Sequence, residues 1–162
     1  PNSNVNIESL IATTFGSTSS TDRLRTYYRD SYFSIVPEGE GGGQLSEKVH
    51  KPLLYGHPFI LFSYNHDIGE FATGMLSRLK EWGFETFPEL FDESYDEIED
   101  YTKKQKMVVS EIHRVINMSF DDLHDIYIKL LPKIKHNQIV MTTIDKEKIV
   151  LDSLKGLNCD FI

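Results

Sequence analysis

A run of glycines between two apolar stretches is the feature that most limits what this chain can fold into. Within residues 34–63, an apolar stretch leads into Gly39 and the triple glycine at 41–43, and a second apolar stretch closes the segment. Short stretches rich in β-branched and aromatic residues, bounded by turn formers, are typical of strands. The segment therefore predicts a βαβ unit, with neighbouring parallel strands at residues 32–36 and 58–63.

The residues between these two strands indicate a short helix. Ser46 is a favourable N-cap, because its hydroxyl can accept a hydrogen bond from a backbone N–H group of the first turn. The helix is expected to run to about Tyr55, with Pro52 bending it and Gly56 ending it in the left-handed conformation. It would then begin directly after the glycine-rich turn.

The start of this predicted helix suits an anion, and phosphate is the expected one. Gly39 lets a ligand approach the backbone closely, and a helix N-terminus favours negative charge. Lys48 would neutralise a diphosphate, while Glu38 and Glu47 would accept hydrogen bonds from ribose or sugar hydroxyls. The alternative is that the two acids are solvated, that Lys48 is an ordinary surface lysine and that the glycines form a flexible connection.

Length, charge and cysteine content restrict the class of protein. The chain has 162 residues, enough for one domain with a core, and its net charge of -8 argues against nonspecific binding to nucleic acid or anionic membranes. No stretch reaches the roughly 20 apolar residues of a membrane-spanning helix, and the N-terminus has no secretion-signal pattern, so a cytoplasmic protein is expected. The single cysteine, Cys159, excludes an internal disulfide. The chain starts without Met, which suggests a processed chain or a piece of a longer protein.

Further elements are expected on both sides of the βαβ unit. Residues 22–29 have the pattern of a short amphipathic helix with Thr21 as its cap. Apolar residues at helical spacing predict another helix over residues 75–82, and a short strand is expected at residues 84–87. These last two elements would complete a second βα unit.

The second half of the chain is predicted to be helical. Ser94 and Glu97 have the spacing of a capping box, so a helix is expected over residues 95–117. Four apolar residues would form its buried face: Val108, Ile112, Val115 and Ile116.

A second capping pair, Ser119 with Asp122, predicts another helix that ends near Pro132, and a third helix is expected over residues 145–154. The fold class is therefore α/β, with a small, mainly parallel, Rossmann-like sheet flanked by helices and a helical C-terminal segment. We expect a single domain over residues 1–162, made of an α/β part (1–91) and a helical part (92–162).

Residues 36–40 and 45–60 resemble the donor-binding, C-terminal half of GT-B glycosyltransferases, above all the fucosyltransferase-like and exostosin-like enzymes. In these enzymes an acid after a strand precedes a helix that carries glutamate and lysine. The resemblance implies that Glu47 contacts the ribose, Lys48 the diphosphate and Glu38 the sugar of a nucleotide sugar. The chain is also similar to uncharacterised phage and marine-bacterial proteins.

The resemblance covers about residues 31–63 and only the donor side of such an enzyme. Gly39 stands where the family has asparagine, Ser46 replaces a threonine, and Glu38 and Glu47 are one residue too far apart for the Glu-x7-Glu motif of retaining members. Inverting members usually take their base from the other half. The resemblance therefore implies donor binding without a metal or other cofactor, with a separate acceptor-binding domain supplying the rest.

Two secondary candidates follow the second predicted strand. His66 and Asp67 lie in a loop at a strand end, where sheets often present functional side chains, although a plain polar loop is the alternative. The acidic residues 92–97 lack the glycine of a calcium-binding loop, and helix capping explains them more simply than a metal does.

Two other functions remain open at this stage. One is a noncatalytic binding module that has kept the fold without the chemistry. The other is a structural interaction protein whose apolar helix faces pack against a partner chain, with the oligomeric state left open. Three residues would contribute to that contact: Phe120, Tyr127 and Leu131. Hydrolase, NTPase and dinucleotide-binding motifs are absent from the sequence.

Overall fold

The computed structural model describes residues 26–38, 45–63 and 73–143. Their elements, in chain order, are β1 (Ser34–Glu38), α1 (Glu47–Tyr55), β2 (Phe59–Ser63), α2 (Met75–Glu81), a 3-10 helix (Glu93–Glu97), α3 (Tyr101–Ile116) and α4 (Phe120–Thr143). Residues 26–29 are also helical, in agreement with the end of the helix predicted over 22–29. The helix predicted over residues 145–154, and the candidates Gly39, His66 and Asp67, lie outside the described residues.

The two strands form a parallel sheet, as predicted. Ser34 pairs with Phe59 and Glu38 pairs with Ser63 at the two ends of the ladder. The first strand begins two residues later than expected, because the Ser34 N–H group makes the first hydrogen bond, to the Pro58 carbonyl at 2.8 Å. The described residues thus form a mixed fold of helices and a two-stranded parallel sheet, and the larger Rossmann-like sheet is not seen in them.

The ends of α1 confirm the capping prediction. The Ser46 hydroxyl accepts a hydrogen bond from the Lys48 N–H group at the start of α1, and Gly56 ends the helix with a φ of 72°. A β-carbon on Gly56 would lie 2.7 Å from the Gln138 side-chain nitrogen on α4. Glycine is therefore needed there both for backbone conformation and for the close packing of α1 against α4.

The core lies between the sheet and the helices that cover it. β2 is buried along most of its length, and α1, α2, α3 and α4 each contribute apolar side chains to the same cluster. The prediction for the inner face of α3 is confirmed at Val108 and Val115, which are buried, while Ile112 is half-buried. It is wrong at Ile116, which is 62% exposed at the last residue of that helix.

The strand predicted at residues 84–87 is wrong. The Phe84 N–H group donates to the Leu79 carbonyl at 3.0 Å, and the Phe87 carbonyl accepts from the next turn. Between them, the backbone of Glu85 makes both of its hydrogen bonds with the Asn137 side chain on α4. These backbone groups are satisfied without a neighbouring strand, so the second βα unit does not form.

The single helix predicted over residues 95–117 is also wrong. A 3-10 helix comes first, with its N-cap Asp92 accepting a hydrogen bond from the Ser94 N–H group at 3.0 Å. The chain then extends, and Asp100 caps α3 by accepting from the Lys103 N–H group at 2.9 Å. Two separate acidic caps therefore replace the expected capping box.

The second C-terminal helix begins as predicted but does not end near Pro132. The Ser119 hydroxyl accepts a hydrogen bond from the Asp122 N–H group at 3.1 Å, and α4 then continues through Pro132 to Thr143. Proline removes one N–H donor from the helix. The residues beyond it, Ile134 and Asn137, are buried against the rest of the fold, and this packing accounts for the continuation.

The acidic segment supplies helix caps, although not the predicted capping box: Asp92 caps the 3-10 helix, and Asp96 accepts hydrogen bonds from the first N–H groups of α2. Within the parts of the chain that the structure describes, no group of three or more histidine, cysteine or acidic side chains could hold a metal ion. Each helix in the described residues is too short or too polar to cross a bilayer.

Candidate functional site

An open cleft of about 340 Å³ runs along β1. Residues 34–37 of β1 line it, together with Tyr27, Tyr28 and Ser31 from the segment before β1 and Lys48 and Lys51 from α1. The side chains that give it chemical character are Tyr27, Tyr28, Ser31, Ser34, Lys48 and Lys51.

Two lysines form the cationic side of the cleft. Lys48 is exposed and Lys51 is half-buried, and Lys51 lies three positions after Lys48, so both project from one face of α1. We call them the lysine pair. Lys48 was among the predicted site residues, whereas Lys51 was missed, although its spacing from Lys48 on a predicted helix could have indicated it.

Glu38 lies beneath this part of the cleft rather than on its surface. Its side chain is 1% exposed, and its carboxylate accepts hydrogen bonds from the Ser46 N–H group at 3.1 Å and the Ser46 hydroxyl at 2.6 Å. The same hydroxyl accepts from the Lys48 N–H group at 3.2 Å. Glu38 is therefore connected to Lys48 through Ser46, and it fixes the start of the helix that carries the lysine pair. Glu47 is the first residue of that helix.

A buried histidine supports Ser31 and Ser34 in the lining of the cleft. His57 is 2% exposed, and its Nδ1 lies 2.8 Å from the Ser34 hydroxyl. Its Nε2 lies 2.8 Å from the Ser31 carbonyl oxygen and 3.2 Å from the Ser31 hydroxyl. The Tyr28 ring meets the imidazole edge-on and stacks on the ring of Tyr55.

Burial determines the protonation of this group of side chains. It lowers the pKa of His57, and hydrogen bonding to the Ser31 carbonyl only partly opposes that shift. It also raises the pKa of Tyr28 to about 12. Near neutral pH, His57 is therefore uncharged and the Tyr28 phenol keeps its proton.

The fall in the pKa of His57 predicts a loss of stability in acid. Because the ordinary pKa is 6.5 and the folded value is lower, the unfolded chain binds a proton first as the pH falls. The free energy of unfolding should then decrease below about pH 6.5, by up to about 1.4 kcal/mol per pH unit, until folded His57 titrates. Denaturant unfolding between about pH 5 and 7.5 measures this for the parent and for His57→Gln. Equal pH dependence in the two proteins would contradict the assignment.

Most of the cleft was missed by sequence reasoning. Its lining includes the adjacent Tyr27 and Tyr28, followed by Ser31 and Ser34 at steps of three or four residues in sequence. That spacing alone does not predict a cleft, because the cleft also depends on packing of residues 26–31 against α1, where Tyr28 stacks on Tyr55. His136 and Asn137 bridge α4 to the segment after α2, since His136 Nε2 lies 2.8 Å from the Gly83 carbonyl oxygen.

Comparison of the chain with protein-family models, with curated protein sequences and with solved structures finds no match.

Proposed function

We propose that the cleft binds the diphosphate of a nucleotide sugar and that the lysine pair neutralises it. The observation that supports this proposal is the position of Lys48 and Lys51 together on one wall of an open cleft. The chain as a whole has a net charge of -8, whereas the charged side chains among the described residues that line the cleft are those of Lys48 and Lys51, so the cleft is a local exception. An anionic ligand would be attracted to that exception.

The size and the aromatic content of the cleft also suit such a ligand. Its volume of about 340 Å³ lies at the lower end of the range for small-molecule pockets. Tyr27 is 69% exposed at its edge, and an exposed aromatic ring offers a flat surface for a nucleobase. A nucleoside diphosphate would thus place its charge at α1 and its base near residues 26–31.

Glu38 has a positioning role in this proposal. Both oxygens of its carboxylate already accept hydrogen bonds from Ser46, and these bonds hold the helix that presents Lys48. The sugar contact implied by the resemblance to GT-B donor halves is therefore less favourable for Glu38 than support of the lysine pair. The resemblance still motivates a nucleotide sugar as the ligand, with the chain acting as the donor-side part of a transferase whose acceptor site and base lie elsewhere.

The experiment that tests the proposal is calorimetric titration with UDP, GDP, CDP and their common sugar conjugates. We expect one nucleotide to bind and Lys48→Ala to weaken its binding by about 10- to 100-fold, the size of one hydrogen-bonded charge contact. Binding should also weaken as the salt concentration rises, because the lysine pair is partly exposed. The matched control is Lys129→Ala, which removes an exposed lysine from α4 and should leave binding unchanged.

Unaltered binding in Lys48→Ala would show that the phosphate role is wrong. A folded protein that binds no nucleotide would instead favour the structural alternative. That alternative has its own support, because α4 exposes four large apolar side chains: Phe120, Ile128, Leu131 and Ile139. Light scattering with and without nucleotide would then identify a stable oligomer that is indifferent to the ligand.

A further inference from the structure

We propose that the cleft selects phosphorylated ligands that also carry free hydroxyl groups, because two serine hydroxyls in its lining can only accept hydrogen bonds from a ligand. We call these two serines, Ser31 and Ser34, the hydroxyl cluster. The proposal rests on phosphate binding by the lysine pair and adds the chemical class of the remaining ligand, a ribose or sugar with its hydroxyls unmodified. Each hydroxyl of the cluster already donates its proton to an acceptor within the protein.

The hydroxyl proton of Ser31 already makes a hydrogen bond within the protein. Its hydroxyl donates to the Tyr27 carbonyl oxygen at 2.6 Å, and a carbonyl can only accept. The Ser31 hydroxyl oxygen and the Ser31 carbonyl oxygen therefore both act as acceptors toward His57 Nε2, at 3.2 and 2.8 Å. His57 Nε2 must carry the imidazole proton.

The direction of the hydrogen bond between Ser34 and His57 follows from that tautomer. A neutral imidazole with its proton on Nε2 has a bare Nδ1, which is an acceptor. The Ser34 hydroxyl lies 2.8 Å from Nδ1, so it donates its proton there. Its oxygen keeps two lone pairs and has no proton to offer the cleft.

Both hydroxyl oxygens of the cluster keep lone pairs for a ligand. Two remain on Ser34, and one remains on Ser31, whose other lone pair faces His57 Nε2.

The lysine pair donates hydrogen bonds and the hydroxyl cluster accepts them, so the two parts of the cleft favour different groups of a ligand. Phosphate oxygens are acceptors, so they are disfavoured at the hydroxyl cluster and favoured at the lysine pair, whose ammonium groups only donate. Ribose and sugar hydroxyls have protons to donate, so they complement the cluster. A bound nucleoside diphosphate is therefore oriented, and a ligand without hydroxyl groups leaves the acceptors of the cluster unpaired.

Calorimetric titration with UDP, its dideoxy analogue that lacks both ribose hydroxyls, and pyrophosphate tests this selection. The parent protein should bind UDP about five- to tenfold more tightly than the analogue, the size of one or two neutral hydrogen bonds. Ser34→Ala should reduce that preference to within about twofold while its affinity for pyrophosphate stays at the parent value. Ser110→Ala, an exposed serine on α3, is the matched control and should keep the full preference.

The outcomes separate this inference from phosphate binding itself. Equal binding of UDP and the analogue by the parent, with Lys48→Ala impaired for both, would overturn the selection and leave the phosphate site standing. Loss of pyrophosphate binding in Ser34→Ala would also overturn it, since Ser34 would then be supporting the cleft rather than reading the ligand. If the folded parent binds neither pyrophosphate nor any of UDP, GDP and CDP, both proposals fail together.

Discussion

Replacing Asp96 with alanine is expected to lower the free energy of unfolding by about 3–5 kcal/mol. The Asp96 carboxylate lies in the 3-10 helix but accepts hydrogen bonds from two backbone N–H groups of α2, Met75 and Leu76, each at 3.0 Å. Buried Lys104 is attracted to the same carboxylate and lies 3.4 Å from the Asp96 carbonyl oxygen. The substitution would leave two helix-terminal N–H groups without their acceptor and would remove one of the carboxylates that attract the buried Lys104 ammonium.

Chemical denaturation followed by circular dichroism measures this loss. Asp96→Asn should lie between the parent and the alanine variant, because the amide keeps one acceptor oxygen but turns an NH₂ group toward the second N–H donor. Asp125→Ala is the matched control, since Asp125 is an exposed acid on α4, and it should stay within about 0.5 kcal/mol of the parent. An equally small effect of Asp96→Ala would mean that water replaces the carboxylate at the start of α2.

Asp96 also shows why the acidic segment could not be interpreted from its sequence alone. Acids at residues 92, 96 and 100 all fit the first turn of a helix, and a capping box at Ser94 and Glu97 favoured one continuous helix. In the structure, Asp92 and Asp100 cap their own elements, whereas Asp96 caps a helix that precedes it by 20 residues. Sequence spacing identifies residues that can cap, but tertiary packing decides which N–H groups they meet.

Part of the candidate site could likewise be predicted from the sequence, and the rest depends on tertiary packing. Both caps of α1 could be predicted because each depends on residues at the ends of that helix, and the parallel pairing of β1 with β2 could be predicted because two strands joined by one helix form a recognisable βαβ pattern. Lys48 could be predicted as a site residue because it lies at the start of α1. The hydroxyl cluster could not be predicted, because its geometry depends on His57 meeting Ser31 and Ser34, which are 26 and 23 residues away.

Replacing Asn137 with aspartate is expected to cost about 3 kcal/mol or more at neutral pH, although the two side chains have the same shape. Asn137 is buried on α4, and its Oδ1 accepts from the Glu85 N–H group at 2.8 Å while its Nδ2 donates to the Glu85 carbonyl at 2.9 Å. It thereby pairs with Glu85 as a neighbouring strand would. Aspartate keeps the acceptor, but it buries a charge and sets an oxygen against the Glu85 carbonyl.

The pH dependence of that loss tests the two hydrogen bonds together. In the Asn137→Asp variant, a protonated carboxyl can again accept from the N–H group and donate to the carbonyl, so the folded state should raise the pKa of the introduced carboxyl above the ordinary value. A raised carboxyl pKa gives stability that is present at low pH and lost as the pH rises. The deficit of Asn137→Asp relative to the parent should therefore shrink between about pH 7 and pH 4.5, measured by urea unfolding at each pH. Asn137→Ala cannot titrate and should keep a constant deficit, and a constant deficit in the aspartate variant as well would show that Glu85 is held by something other than this amide.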